Sequence, residues 1–168
     1  MKFLAIIPAR YASTRFPAKP LAMLGGKPVI QHVYERVSSI LEAVVATDDK
    51  RIYEVVEAFG GRVVMTSTEH RTGTDRCLEA YNNYGVEADV VINVQGDEPF
   101  IAEEQIRGLM NCFENTQTDI ATLIKPFPAD TTFDILSNPS AMAIFEANKM
   151  LKAVRDSIYC FSCYFSLV

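Results

Sequence analysis

Three cations follow one short apolar run at the start of this chain. Leu4-Ala5-Ile6-Ile7 leads into Pro8-Ala9, and Arg10, Arg15 and Lys19 come next, separated by small residues and by Pro17. An apolar run of this length reads as a buried strand, and proline limits the freedom of the loop behind it. A strand that opens into a stiffened loop with fixed positive charge is a place to hold a polyanion. In an α/β protein that place lies outside the carboxyl ends of the strands, and a nucleoside triphosphate is the obvious candidate. The competing reading is a solvated basic surface. The loop is neither a Walker G-x-x-x-x-G-K-[ST] nor a G-x-G-x-x-G.

Two further segments carry chemistry. Asn93-Val94-Gln95-Gly96-Asp97-Glu98-Pro99-Phe100 follows the most apolar strand pattern of the chain. Gly96 allows a close backbone approach. Asp97 then stands at a strand end, where a carboxylate suits Mg²⁺, a hard cation that accepts one or two carboxylates plus phosphate oxygens. The alternative is a turn whose aspartate satisfies nearby amides. His70-Arg71-Thr72-Gly73-Thr74-Asp75-Arg76 joins a strand to a helix. Thr72 or Thr74 can cap that helix, whose N-terminus favours an anion or a polar base edge. Ordinary capping with solvated charges competes. His70 has no visible carboxylate partner and reads as structural rather than as a general base. Thr47-Asp48-Asp49 is a weaker signal, a strand end that also caps the next helix.

The elements that must position these residues alternate between strand and helix. Strands are expected at Phe3–Pro8, Leu41–Ala46, Arg62–Thr66, Asp89–Val94, Asp119–Ile124 and Ala141–Phe145. Helices are expected from Pro28 to Ile40, Lys50 to Phe59 with Gly60-Gly61 as a stop, Thr74 to Tyr84, and Glu103 to Phe113. Repeated strand-helix-strand units imply an α/β fold, a mostly parallel sheet with helices on both faces.

Bulk composition narrows the classes. The 168 residues suit a single domain with a sizeable core. A net charge of -5 gives no reason to expect a nucleic-acid partner, so local cations must bind phosphate against an acidic background. No signal peptide is visible and no apolar stretch approaches the roughly 20 residues that span a bilayer. The cytoplasm is expected, without a membrane partner. Cys77, Cys112, Cys160 and Cys163 do not form a disulfide framework and read as reduced thiols.

Ile6–Leu21, Val45–Asp49, Arg71–Arg76 and Asn93–Pro99, taken together, resemble the 3-deoxy-manno-octulosonate cytidylyltransferase (CMP-Kdo synthetase) family in order and spacing, up to about residue 139. The resemblance implies a Rossmann-like nucleotidyltransferase fold, CTP and Kdo as substrates, Mg²⁺ as cofactor, and a possible homodimer. It implies attack of the sugar's anomeric hydroxyl on the α-phosphate of CTP, with loss of pyrophosphate, in lipopolysaccharide precursor synthesis. Such a transfer needs positioning and charge neutralisation more than a covalent nucleophile. On this resemblance Arg10, Lys19 and Asp97 are catalytic. Pro8, Ala9, Arg10, Arg15 and Lys19 bind nucleotide, as do Arg71, Thr72, Gly73 and Asp75 near the cytidine. Gln95 lies near the sugar, and Asp97 holds the metal. CMP-sialic acid synthetases, the alternative for another sugar acid, usually carry A-R-G-G-S-K-G-I-P-x-K-N in the first loop. Tyr11-Ala12-Ser13-Thr14-Arg15 departs from that.

The chain also departs from the Kdo pattern. Ala18 stands where the family usually has glycine, and a positive φ there would strain it. Ser140-Ala141-Met142-Ala143-Ile144 lacks the lysine of an N-x-V-K-V-like strand, and the later F-S-R-x-x-I-P and H-x-G-I-Y-x-Y segments and second aspartate have no counterpart. Residues 1–139 therefore read as family-like and 140–168 as a divergent tail of a single, incomplete domain. A truncated or frame-altered enzyme is expected, with a non-catalytic CTP-binding fragment or degenerate homologue as the alternative. The apolar Ile158–Val168 is expected to cover a sheet edge or to drive association.

Overall fold

The computed structural model describes residues 1–12, 17–123 and the backbone of 160–162. In chain order the elements are β1 (Phe3–Ala9), a single 3₁₀ turn at Lys19–Leu21, β2 (Met23–Leu24), β3 (Lys27–Pro28), α1 (Val29–Ser38), β4 (Glu42–Thr47), α2 (Lys50–Ala58), β5 (Val63–Met65), α3 (Gly73–Tyr84), β6 (Val90–Asn93), α4 (Glu103–Cys112) and β7 (Cys160–Ser162). By internal contacts the chain divides into Met1–Thr122 with Tyr159–Cys163, and Leu123–Ile158 with Tyr164–Val168. The first unit carries the fold described below.

Leu4, Ala5, Ile6 and Ile7 are all fully buried. A strand hidden on both faces needs a neighbour on each edge and a helical layer on each side. β1 has both edges filled. It pairs in parallel with β4, Ile6 opposite Val44, and with β6, Ile6 opposite Asn93. The five-stranded sheet runs β5-β4-β1-β6-β7, and every pairing in it is parallel. Because side chains alternate along a strand, Leu4 and Ile6 share one face with Val44, Ala46 and Val91, where Cys77 and Ala80 of α3 cover them. Ala9 belongs to the opposite face, where Ile30 of α1 approaches it beside Gly96. Helices therefore lie on both faces, as expected.

The helices follow their sequence stripes. Ile30, Val33 and Val37 are the fully buried positions of α1, and Ile52 and Val56 those of α2, spaced to face the sheet. Asp49 caps α2 by accepting from Arg51 N at 2.9 Å. Gly85 closes α3 at φ 70°, a left-handed position that suits glycine. Every expected helix is present to within about two residues, as boundaries usually are.

Two differences matter. The strand expected at Asp119–Ile124 is not formed by Asp119–Leu123. Strands exist by pairing, and the outer edge of β6 is taken by β7, Val91 opposite Cys160 and Asn93 opposite Ser162. Part of the apolar tail thus covers a sheet edge, one of its two expected roles. Second, the β2–β3 hairpin was not anticipated. It turns through Gly25 and Gly26, both at positive φ, the two-residue loop that suits strand twist. The His32 ring holds it to α1 through the Leu24 carbonyl at 2.7 Å. The strand expected at Ala141–Phe145 lies outside the described residues.

Candidate functional site

The carboxyl ends of β1, β4 and β6 lie side by side, which brings Ala9-Arg10, Thr47-Asp48-Asp49 and Val94–Asp97 to one rim of the sheet. The loop after β1 closes on itself, with Ala18 N donating to Tyr11 O at 2.9 Å. Ala18 adopts φ 58°, ψ 20°, so the position does require the left-handed conformation that alanine disfavours. Lys19 then opens the 3₁₀ turn and points its ammonium at Asp97, Nζ to Oδ2 2.8 Å. Their side chains are 46% and 44% exposed. Two residues far apart in sequence thus form one exposed, chargeable pair at the rim.

Gly96 explains how Asp97 reaches it. A Cβ on Gly96 would sit 2.8 Å from the Pro8 carbonyl oxygen and 3.2 Å from Ile30 Cδ1. Only glycine lets the β6 loop lie against β1, where Gly96 N donates to Pro8 O at 3.3 Å. Close approach was the role expected of it.

The start of α3 forms the other side of the rim. Thr72 is the cap, its Oγ1 accepting from Asp75 N at 3.1 Å and donating to Asp75 Oδ2 at 2.6 Å. Gly73 packs toward Pro8, whose Cγ would lie 3.5 Å from a Cβ there. Arg71 is exposed. Arg10 reaches the same segment, donating from Nη2 to the His70 carbonyl. Pro8, Ala9, Arg10, Gly73, Thr72 and Asp75 are therefore brought together, and Lys19 and Asp97 form a pair beside them. Gln95 is half-buried in the same loop as Asp97. Arg15 lies outside the described residues.

Three features were missed from sequence. His70 does have a carboxylate partner, since its Nε2 donates to Glu79 Oε2 one helical stretch away. Glu79 also accepts from Ser67 N at 2.9 Å. That amide, then the His70 ring, holds the Glu79 carboxyl below its ordinary range. The contact anchors the loop to α3, in keeping with a structural histidine. Tyr11 lies under the Arg51 guanidinium, 3.2 Å from ring centroid to Cζ, which ties the loop base to α2. Arg51 in turn holds the Asp49 carboxyl down, first by side-chain hydrogen bonding. Finally, Arg76 is fully buried. Its Nη2 donates to Asp48 Oδ2 at 2.6 Å and its Nη1 to Thr66 Oγ1. The signal was available, because Arg76 falls in the buried stripe of α3 with Cys77 and Ala80.

No cluster of three or more histidine, cysteine or acidic side chains suited to a metal occurs among the described residues. Asp97 offers a half-exposed carboxylate at the rim. That donor set fits Mg²⁺ only when phosphate oxygens and water complete its shell.

A parallel sheet with a basic loop after its central strand and an aspartate at the neighbouring strand end is the architecture of an α/β nucleotidyltransferase. The match to a solved CMP:2-keto-3-deoxy-manno-octonic acid synthetase complexed with CTP bears this out, with TM-score 0.71 and 28% identity over 98% of this chain and 91% of that one. The chain belongs to the cytidylyltransferase family, whose model matches residues 4–161. It is 60% identical over 151 residues to the 3-deoxy-manno-octulosonate cytidylyltransferase of Phocaeicola vulgatus, covering 89% of this chain. It is 65% identical over 139 residues to that of Bacteroides thetaiotaomicron, covering 82%. The chain spans 60% and 56% of the lengths of those two relatives. The resemblance read from four motifs is thereby borne out. A cytidylyltransferase of Leptospira borgpetersenii, 19% identical with TM-score 0.66, shares the fold. No helix among the described residues is long and apolar enough to cross a membrane.

Proposed function

We propose that this chain transfers CMP from CTP to the anomeric hydroxyl of Kdo, as the names of its relatives indicate for them. The hydroxyl oxygen forms a bond to the α-phosphorus and gives up its proton to solvent. The bond from that phosphorus to the bridging oxygen breaks, and pyrophosphate leaves. The observation that carries this reading is the Lys19–Asp97 pair at 2.8 Å, at the end of the loop whose Arg10 bonds the His70 carbonyl. It joins on one rim a cation suited to phosphate and an anion suited to a metal. Arg10 and Lys19 neutralise triphosphate charge, joined by Arg15 of the same loop. Pro8, Ala9, Thr72, Gly73 and Asp75 supply a close-packed wall for the nucleoside, with Arg71 at its margin, and Gln95 faces the sugar side. Asp97 would hold Mg²⁺, which supplies charge neutralisation at the transferring phosphate when bound.

The reaction is assigned to the cytoplasm, where nucleoside triphosphates are supplied. A homodimer, read by sedimentation velocity as a doubled mass, is part of the same proposal. The deciding experiment is pyrophosphate release from CTP and Mg²⁺ with and without Kdo. Release that depends on Kdo supports transfer. No release at a chain concentration that binds CTP overturns the catalytic reading.

A further inference from the structure

Arg76 is an expensive residue where it stands. It lies in the first turn of α3, at the positive end of the helix dipole, where cations are disfavoured. Its side chain is fully buried, and burying a guanidinium carries a large desolvation penalty. Its Nε has no hydrogen-bond partner among the described residues, so part of that penalty is uncompensated. Cys77 and Ala80 in the same stripe are small and apolar, and an apolar residue at 76 would avoid all three costs.

What the guanidinium obtains is a tie between three segments. Asp48 Oδ2, 2.6 Å from Nη2, belongs to the loop leaving β4. Thr66 Oγ1, bonded to Nη1, belongs to the residue after β5. Those two loops already touch through Thr66 N and Thr47 O at 2.8 Å. Arg76 fastens both to the first turn of α3, directly behind Thr72, Gly73 and Asp75. We infer that Arg76 is a positioning residue for nucleoside recognition: it fixes the start of α3 against Pro8 so that the base, and not only the triphosphate, is bound in one place. This rests on the proposal that the Thr72–Asp75 segment faces the nucleoside.

The inference separates two ligands. The Lys19 and Arg10 loop bears on phosphate, and among the described residues Arg76 hydrogen-bonds to Asp48 and Thr66 rather than to that loop. Binding of CTP therefore depends on Arg76, whereas binding of inorganic tripolyphosphate does not. The test is calorimetry of the full chain with each ligand in one Mg²⁺ buffer, for the native chain, Arg76→Lys and Thr66→Val. Lysine keeps the charge but cannot reach both acceptors, and valine removes one acceptor while keeping the shape. Arg76→Lys is expected to weaken CTP about tenfold, the scale of one lost charge-assisted contact, with tripolyphosphate unchanged within about twofold. Thr66→Val moves CTP in the same direction by less. Should Arg76→Lys fail to fold by circular dichroism, Thr66→Val decides alone. Equal losses for both ligands, or no loss for CTP, overturn the inference. A native chain that binds CTP no better than tripolyphosphate overturns instead the reading of Thr72–Asp75 on which it rests.

Discussion

Two acid–base pairs cross the same rim of the sheet, and they are built oppositely. Lys19–Asp97 is 2.8 Å long with both side chains nearly half exposed, whereas Arg76–Asp48 is 2.6 Å long with side chains 0% and 18% exposed. Water screens the first, which is worth at most about 1 kcal/mol. The second cannot be opened without stranding a charge, at a cost of about 3–5 kcal/mol. An exposed pair can exchange its partners for ligand atoms at little cost. A buried pair cannot, and is suited to hold the frame around the exchange. On the proposed reading, the two pairs divide the work of one site between a replaceable contact and a fixed one.

The sharpest way to break that comparison is to remove the cation from each. Arg76→Met is expected to lower unfolding free energy by about 3 kcal/mol, and Lys19→Met by no more than about 0.5 kcal/mol, read from urea transitions. Equal effects would end the distinction. Next come the glycines. Gly96→Ala meets the Pro8 carbonyl at 2.8 Å and is expected to cost about 1–3 kcal/mol, with weaker triphosphate binding because Asp97 is displaced. Gly73→Ala finds only an ordinary 3.5 Å contact and should pass almost unnoticed in the same melts.

Asp97→Asn sharpens the exchange idea through a change of sign. Without divalent cation, titrated in EDTA, the variant frees Lys19 and should bind tripolyphosphate about two- to fivefold tighter, as an exposed pair allows. With Mg²⁺ it should bind CTP more weakly than the native chain. Ala18→Gly is a smaller effect. It relieves the residue at φ 58° and should raise stability by about 0.5–1 kcal/mol after the extra freedom of glycine in the unfolded chain is counted.

The smallest effect is in pH. Glu79 and Asp49 both have carboxyls lowered in the folded chain, by the Ser67 amide and His70 in one case and by Arg51 in the other. A lowered carboxyl stabilises the fold above its unfolded value, about pH 4, and loses that contribution as pH falls through the lower folded value. Thermal midpoints should therefore drop through the acid range. Glu79→Gln should make that drop shallower and leave Asp49's share, whereas an unchanged slope would remove Glu79 from the account.

Much of this was legible beforehand because it is local. Leu4–Ile7 read as a buried strand because four consecutive apolar residues leave no polar face for solvent. A cap was legible within Thr47-Asp48-Asp49 and at Thr72 or Thr74, and Asp49 and Thr72 are the residues that make it. Gly96 was readable as a close approach from its position at a strand end. What stayed hidden depends on partners distant in sequence. Nothing near Lys19 names Asp97, and nothing near Arg76 names Asp48 or Thr66. His70 looked partnerless because Glu79 comes within reach only after α3 forms. The strand expected at Asp119–Ile124 had adequate residues, but pairing is a contest for edges, and local composition does not say that β7 takes the edge of β6.

That edge also bears on the order in which the molecule assembles. β1, β4 and β5 meet within the first part of the chain, and their contacts close short loops. β7 must return across a long stretch of sequence to lie beside Val91–Asn93. Contacts of such separation form late, because their closure entropy is met only when the surface they join already exists. A strand of three residues gives little back. β7 is therefore the last piece of the sheet to arrive and the first to leave. Amide protons along Val91–Asn93 that face it should exchange with solvent sooner than those facing β1.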